Sequence, residues 1–197
     1  MRIAGRLGSN PMRRISLVPL LFGLLALGLQ GCDSKPNAKP GPVTATTAPL
    51  TIKLSSSAFA DGQPLPATYG CDGRNISPPL SWTGVPKGAT ELVLVMEDRD
   101  AKPTFLHWAV LGLDASREQL DEGSVPAGGR QINNSAGHAN YTGPCPPKGA
   151  GPHHYDFLLF ALSKPESVTT GGDLAALRGA LKGKTLAEGM LVGTYQR

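Results

Sequence analysis

The nineteen residues from Gly137 to Tyr155, GHANYTGPCPPKGAGPHHY, constrain the chain more than any other stretch. They hold four glycines and four prolines, together with Cys145, two tyrosines and three of the four histidines of the whole chain. Proline fixes φ and removes a backbone donor, and glycine weakens helix and strand alike, so no long regular element can run through the segment. It reads as a rigid loop that presents polar groups and then enters the apolar run Tyr155 to Leu162 (YDFLLFAL). Such a loop, leading into a buried strand, is a common position for binding residues.

The N-terminal 1–31 do not belong to that fold. Arg13 and Arg14 precede the apolar run Ile15 to Leu29, a basic region and short hydrophobic region of the kind found in secretory signals. The run is short for a permanent membrane span and contains Pro19. It ends in Leu29-Gln30-Gly31-Cys32, which resembles the bacterial lipobox, in which the cysteine is acylated and becomes the new first residue. That implies a palmitate-bearing lipoprotein held at Cys32, exported to the cell envelope on the periplasmic face of the inner or outer membrane. Asp33 resembles the inner-membrane retention signal of some bacterial lipoproteins. Residues 32–49 are rich in Pro, Ala, Thr and Lys without apolar period, as expected of a disordered tether. Leu50 to Arg197 then form one domain.

The net charge of +4 dissolves once it is located. Four of the 19 basic residues, Arg2, Arg6, Arg13 and Arg14, lie in the signal, which leaves 15 against 15 acidic residues. A basic footprint for nucleic acid is therefore not expected. Apart from Cys32, the cysteines are Cys71 and Cys145, both in Gly/Pro-rich loops of an exported chain, and they are expected to form a disulfide. The competing role for Cys145 is a nucleophile with His153 as its base.

Within the domain, Leu50 to Ser55 (LTIKLS) alternates as a half-buried strand does, and Asn75 to Trp82 (NISPPLSW) is extended by its prolines. Glu91 to Met96 is a continuous apolar strand, followed by strands at His107 to Leu113, Tyr155 to Leu162 and Gly189 to Tyr195. Between the last two, leucines at 174, 177 and 181 share a helical face and Asp173 is a plausible N-cap. This is a mainly β chain, a sandwich of largely antiparallel sheets with one or two short helices near the C-terminus.

Asp98 and Asp100 stand two apart at a strand end, so an extended chain would project both to one side. Period two sends Trp108 to the face opposite His107, lets His153 and Tyr155 share a face, and turns His154 away. Asp98, Asp100, His107, His153 and Tyr155 could thus converge beside the loop Tyr141 to Pro147. Imidazoles and a phenol donate hydrogen bonds to an anion, and carboxylates can orient the imidazoles. Spacing alone gives equal weight to a second reading, in which the aspartates cap a turn and the histidines satisfy buried polar groups. Zinc would suit two histidines and an aspartate, but neither HExxH nor paired CxxC spacing occurs, and no metal site is expected. A GxSxG elbow is absent, and Lys182-Gly183-Lys184-Thr185 lacks the first glycine of a phosphate-binding loop.

Asp98-x-Asp100-Ala101, His107-Trp108, Tyr141-x-Gly143-Pro144-x-Pro146-Pro147 and His153-x-Tyr155 resemble the two signature blocks of the phosphatidylethanolamine-binding protein family. The bacterial branch, called Raf kinase inhibitor-like or YbhB/YbcL-like, is the nearest in pattern, and Cys71 to Trp82 and Leu191 to Arg197 also resemble it. The resemblance implies a β-sandwich with a preformed pocket for phosphate-like head groups, lined by Asp98, His107, His153 and Tyr155, rimmed by Gly143, Pro144 and Cys145 and supported by Asp100. Two departures stand out. The family's Asp-Pro-Asp-Ala-Pro is Asp98-Arg99-Asp100-Ala101-Lys102-Pro103 here, and its His-Arg-Tyr is His153-His154-Tyr155; Arg99 is the candidate to replace the lost arginine charge. The function expected first is a membrane-tethered, non-enzymatic binding protein for a small anion, without cofactor. The second is an inhibitor of a protein partner such as a protease or kinase, a kinase being out of reach beyond the cytoplasm. The third is a hydrolase using His107 or His153 as base, for which no activated nucleophile is apparent.

Overall fold

The computed structural model describes residues 50–125, 127–166, 168 and 171–197. The signal, the acylation site Cys32 and the tether expected over 1–49 lie outside the described residues. In chain order the strands are β1 (Leu50–Thr51), β2 (Lys53–Ser55), β3 (Gln63–Pro64), β4 (Leu80–Thr83), β5 (Glu91–Asp98), β6 (Phe105–Leu113), β7 (Gln119–Leu120), β8 (Arg130–Gln131), β9 (His153–Leu162) and β10 (Thr185–Tyr195), with one α-helix, α1 (Leu174–Leu181). Among the described residues they form a seven-stranded sheet in the order β1-β10-β9-β5-β6-β8, with β3 also on β10, and a three-stranded sheet β2-β4-β7. Pairing is antiparallel except where β1 and β3 join β10.

The sheets face one another across a core that explains the sequence pattern. Leu92, Leu94 and Met96 of β5 and Phe157 and Leu159 of β9 pack with Ile52, Leu80, Trp82 and Leu120 from the small-sheet side. The alternate residues Val93 and Val95 meet Leu177 and Leu181 of α1 on the outer face. Every residue of β5 is buried, because it sits mid-sheet with both faces covered, and a strand so placed needs an unbroken apolar run. The helix begins where Asp173 accepts the N–H groups of Ala175 and Ala176 at 2.9 and 3.1 Å, and it buries the leucine face its spacing announced.

The LTIKLS stretch is two strands rather than one. β1 pairs with β10 in the large sheet and β2 with β4 in the small one, so the chain changes sheets at Ile52, whose N–H still reaches Glu188 O at 2.8 Å. Alternation in sequence is the same whether a strand stays in one sheet or crosses between two, which is why the break was not legible.

Candidate functional site

Four segments meet at one end of the large sheet: the end of β5, the start of β6, the start of β9 and the loop at 134–147. They enclose a cavity of about 220 Å³ bordered by Asp98, Ala101, Phe105, His107, Thr142, Gly143, Cys145, Pro146, Pro147, His153 and Tyr155.

The strand β5 stops at Asp98 because the aspartate turns the chain. Its Oδ1 accepts the N–H of Asp100 at 2.9 Å and of Ala101 at 3.1 Å, a local arrangement that competes with extension. Its Oδ2 lies 2.7 Å from Nδ1 of His153, which donates to it. The turn carries Asp100 out of the cavity, so the expectation that both aspartates line one site is corrected: Asp100 Oδ2 instead accepts from His154 N at 2.7 Å and pairs with His154 Nδ1 at 2.8 Å. The hydrogen bond from His154 is the main reason the Asp100 carboxyl is held below the usual carboxylate range. Asp98 thus both caps a turn and orients a histidine, so the two sequence readings of this residue are compatible.

A bulge brings His107 into the cavity. On β5–β6, Met96 pairs with Trp108 and Glu97 with Leu106, which leaves His107 as an extra residue on β6. Period two is broken there. Trp108 therefore does not take the face opposite His107: it packs in the inter-sheet core with Tyr155, while the His107 ring stands edge-on to the same Tyr155 with centroids 5.2 Å apart and 4.7 Å from Phe105. His107 Nδ1 lies 2.7 Å from the Thr142 carbonyl oxygen. Burial lowers the pKa of this imidazole below the ordinary histidine value, and that effect outweighs the opposing hydrogen bond to Thr142 and the attraction of Asp98.

Tyr155 is fully buried, and its hydroxyl, out of contact with solvent, lies beside the Asp98 carboxylate without a well-aligned hydrogen bond among the described residues. Burial first, and then the charge of Asp98 and hydrogen bonding to it, raise its pKa, so the phenol keeps its proton. A buried hydroxyl left without a good hydrogen bond costs on the order of 1–3 kcal/mol and calls for an explanation.

The loop opposite is held by groups that the sequence reading missed. Asn134, almost fully buried, donates its Nδ2 to Thr142 Oγ1 at 2.8 Å, to Asn140 O at 3.2 Å and to His107 O at 3.3 Å, while its Oδ1 accepts from the N–H of Ala136 and His138. Asn75, at a left-handed φ of 55°, places its Oδ1 2.7 Å from the N–H of Gly143. A Cβ at Gly143 would stand 2.1 Å from Tyr69 O, so only glycine lets the two loops approach this closely. Cys71 and Cys145 form a disulfide with Cα atoms 5.4 Å apart, and Cys71 N–H donates to Pro144 O at 3.0 Å. Of the expected rim, Gly143 and Cys145 border the cavity while the buried Pro144 does not, and the bonded Cys145 sulfur removes the thiolate considered as a nucleophile.

Compared with family models, the sequence matches that of the phosphatidylethanolamine-binding protein over residues 55–196. The chain belongs to the phosphatidylethanolamine-binding protein family. Among similar proteins, "Putative lipoprotein LppC" of Mycobacterium tuberculosis is 38% identical over 187 residues, covering 90% of this chain and 92% of its own. Two solved structures share the fold at a TM-score of 0.69: the phosphatidylethanolamine-binding protein homologue CT736 of Chlamydia trachomatis, 37% identical and covering 75% of this chain and 98% of its own, and Escherichia coli YbcL, 27% identical and covering 74% and 98%.

Against the family pattern, one expected compensation fails. Arg99 does not supply charge to the cavity, because its guanidinium binds Asp156, with Nε 3.0 Å from Oδ1. Asp156 alternates with Tyr155 on β9 and points to the outer face, and Arg99 N–H joins the same strand at His154 O. The position of the family arginine, now His154, is occupied with Asp100 at the surface. The cavity of this family member therefore contains no arginine or lysine in its border. No cluster of three or more metal-ligating side chains occurs among the described residues.

Proposed function

We propose that this phosphatidylethanolamine-binding protein family member is a non-enzymatic binding protein whose cavity takes a small oxyanion, a phosphate or a phosphorylated head group. The observation that carries the reading is the cavity of about 220 Å³ where the imidazoles of His107 and His153 meet the Tyr155 hydroxyl, a protonated donor with no well-aligned partner among the described residues although Asp98 lies beside it. An oxygen of a bound anion would satisfy the hydroxyl. Asp98 fixes His153 beside it, and the apolar walls Phe105, Pro146 and Pro147 keep the site small and strengthen each polar contact. Of the side chains that could serve as a nucleophile beside the cavity, Cys145 is bonded to Cys71 and Thr142 Oγ1 is held by Asn134, which favours binding over hydrolysis.

Attachment to a membrane through an acylated Cys32 is the second part of the proposal. It rests on the Leu29-Gln30-Gly31-Cys32 motif and on likeness to a protein named as a lipoprotein. No helix among the described residues is long and apolar enough to cross a membrane. Metabolic labelling with a palmitate analogue tests it: label incorporated by the native chain and lost in Cys32→Ala supports the anchor, and equal labelling of both rejects it.

The binding reading is tested by calorimetric titration of the chain with phosphoethanolamine and with acetate. Saturable heat with phosphoethanolamine that disappears in Tyr155→Phe, a change that removes one hydroxyl and leaves the ring packing, is the expected result. Unaltered affinity in that variant would refute the assigned role of the hydroxyl.

A further inference from the structure

We propose that the cavity selects an oxyanion that brings its own proton, such as the singly charged form of a phosphate monoester, and discriminates against an anion of similar shape that has none, such as sulfate. The inference rests on the oxyanion reading above and deepens it. The decisive group is the His107 imidazole. A carbonyl oxygen can only accept, so the 2.7 Å contact with Thr142 O fixes the ring proton on Nδ1. In the neutral ring, Nε2 then presents a lone pair, and it has no partner among the described residues. The ring borders the cavity.

The groups facing this ring are Asp98 from β5, His153 and Tyr155 from β9, the Thr142 carbonyl from the loop, and Phe105 from its own strand. Asp98 is the one carboxylate among them, and it is already engaged by His153 and by two backbone N–H groups. Desolvation wins over its attraction, and the imidazole stays neutral near pH 7. The cavity therefore offers a guest the Tyr155 hydroxyl, the Nε2 edge of His153, whose Nδ1 is held by Asp98, and one fixed lone pair, His107 Nε2. A fully deprotonated anion has only acceptors and would set an oxygen lone pair against Nε2, close to the Asp98 carboxylate. A P–O–H group donates to His107 Nε2 while the other oxygens face Tyr155 and His153, so the fixed lone pair of His107 is matched. A site built around a hydrogen bond rejects an analogue lacking the partner, because its own buried group is then left unpaired. No bond is made or broken. When the ester in solution is doubly charged, the complex takes up one proton from the solvent.

Isothermal calorimetry on the full-length chain in detergent, with phosphoethanolamine and with sulfate, tests this between about pH 5.5 and about pH 8, in two buffers of different ionisation heat. The expected result is phosphoethanolamine binding roughly tenfold or more tighter than sulfate. Its affinity should fall by about tenfold per pH unit above the ester's second pKa of about 6, with about one proton taken up per guest. Equal affinity for both anions with no proton uptake overturns the proposal and leaves the oxyanion reading standing. Binding of neither anion overturns both. In His107→Gln the amide can turn either its oxygen or its NH₂ to the guest, so the preference for phosphoethanolamine over sulfate should collapse toward about onefold; a preference kept intact in that variant overturns the assignment to His107.

Discussion

Neighbouring residues of β5 and β9 carry carboxylates to opposite faces of the same sheet, and the two faces treat them differently. On the outer face Glu97 and Asp156 are paired in register, both buried at 3% and 6% exposure, and each is bound by an arginine: Arg178 from α1 and Arg99 from the turn after β5. On the inner face, one residue along, Asp98 pairs in register with Tyr155, whose hydroxyl lies beside it, and is bound by the imidazole of His153 and by backbone N–H groups. Guanidinium is a permanent charge that closes a site with a fork of donors, whereas imidazole adapts its protons to what arrives. The outer face is thus closed by permanent charges, although Glu97 Oε2 has no hydrogen-bond partner among the described residues, and the inner face is left with a cavity bordered by two imidazoles and a phenol. Similar carboxylates, one residue apart, serve stability on one side and recognition on the other.

The sharpest way to break this contrast is to remove the inner partner. His153→Ala leaves Asp98 buried without its imidazole, and affinity for phosphoethanolamine should fall by roughly a hundredfold, the scale of a charge-assisted hydrogen bond. Titration calorimetry reads the loss, and circular dichroism at the unfolding midpoint separates it from a collapsed fold.

Removing an outer partner should do the reverse. Arg178→Ala leaves Glu97 buried, and because Arg178 is itself half exposed the loss in stability should be about 1–2 kcal/mol rather than the larger penalty of a dry pair. Urea unfolding measures it, and the same protein should bind phosphoethanolamine within about twofold of the unaltered chain. A large loss of affinity would show that the two faces are not independent.

The faces also differ in the sign of their response to acid. Burial holds folded His107 below the ordinary value of 6.5, so the unfolded chain binds that proton first; the stability it contributes is complete above pH 6.5 and is lost as pH falls below it. Burial raises Glu97 above its ordinary 4.5, against the opposing charge of Arg178, so the folded chain binds that proton first and recovers stability as pH falls toward 4.5. Each slope is limited to about 1.4 kcal/mol per pH unit. Unfolding followed from neutral to acid pH should therefore lose its first decline in His107→Gln and steepen at the acid end in Glu97→Gln.

The smallest effect is expected where neither face is involved. Asp100→Asn weakens the surface pair with His154, both partly exposed, and should change stability by less than about 0.5 kcal/mol without altering affinity. This variant separates a cavity-lining Asp100 from the surface residue the structure describes.

Much of the layout was legible because it follows from patterning. The unbroken apolar run of β5 announced a strand, and the Asp173 cap with its leucine spacing announced α1. His153 and Tyr155 share a face because β9 is regular through both. The failures fall where regularity ends. His107 reaches the cavity through a bulge, which a sequence of alternating residues does not mark. Asp100 leaves it because Asp98 caps its own backbone two residues on, and Asp-x-Asp spacing fits both an extended strand and a turn. Asn134 and Asn75 act through side-chain contacts to loops far along the chain, and only their polarity is visible in sequence. The arginine at 99 looked available to the cavity until its partner on the opposite face, Asp156, was seen.

The measurement that bears most directly on the account is ¹⁵N NMR of the histidine side chains during titration with phosphoethanolamine. The chain has four histidines, few enough to resolve each ring. Addition of ligand should shift the ring nitrogens of His107 and His153 at the cavity, with His107 Nε2 moving most, and leave His154, paired with Asp100 outside it, where it was. Shifts at His154 alone, or at no histidine under saturating ligand, would contradict the assignment of the inner face as the binding face.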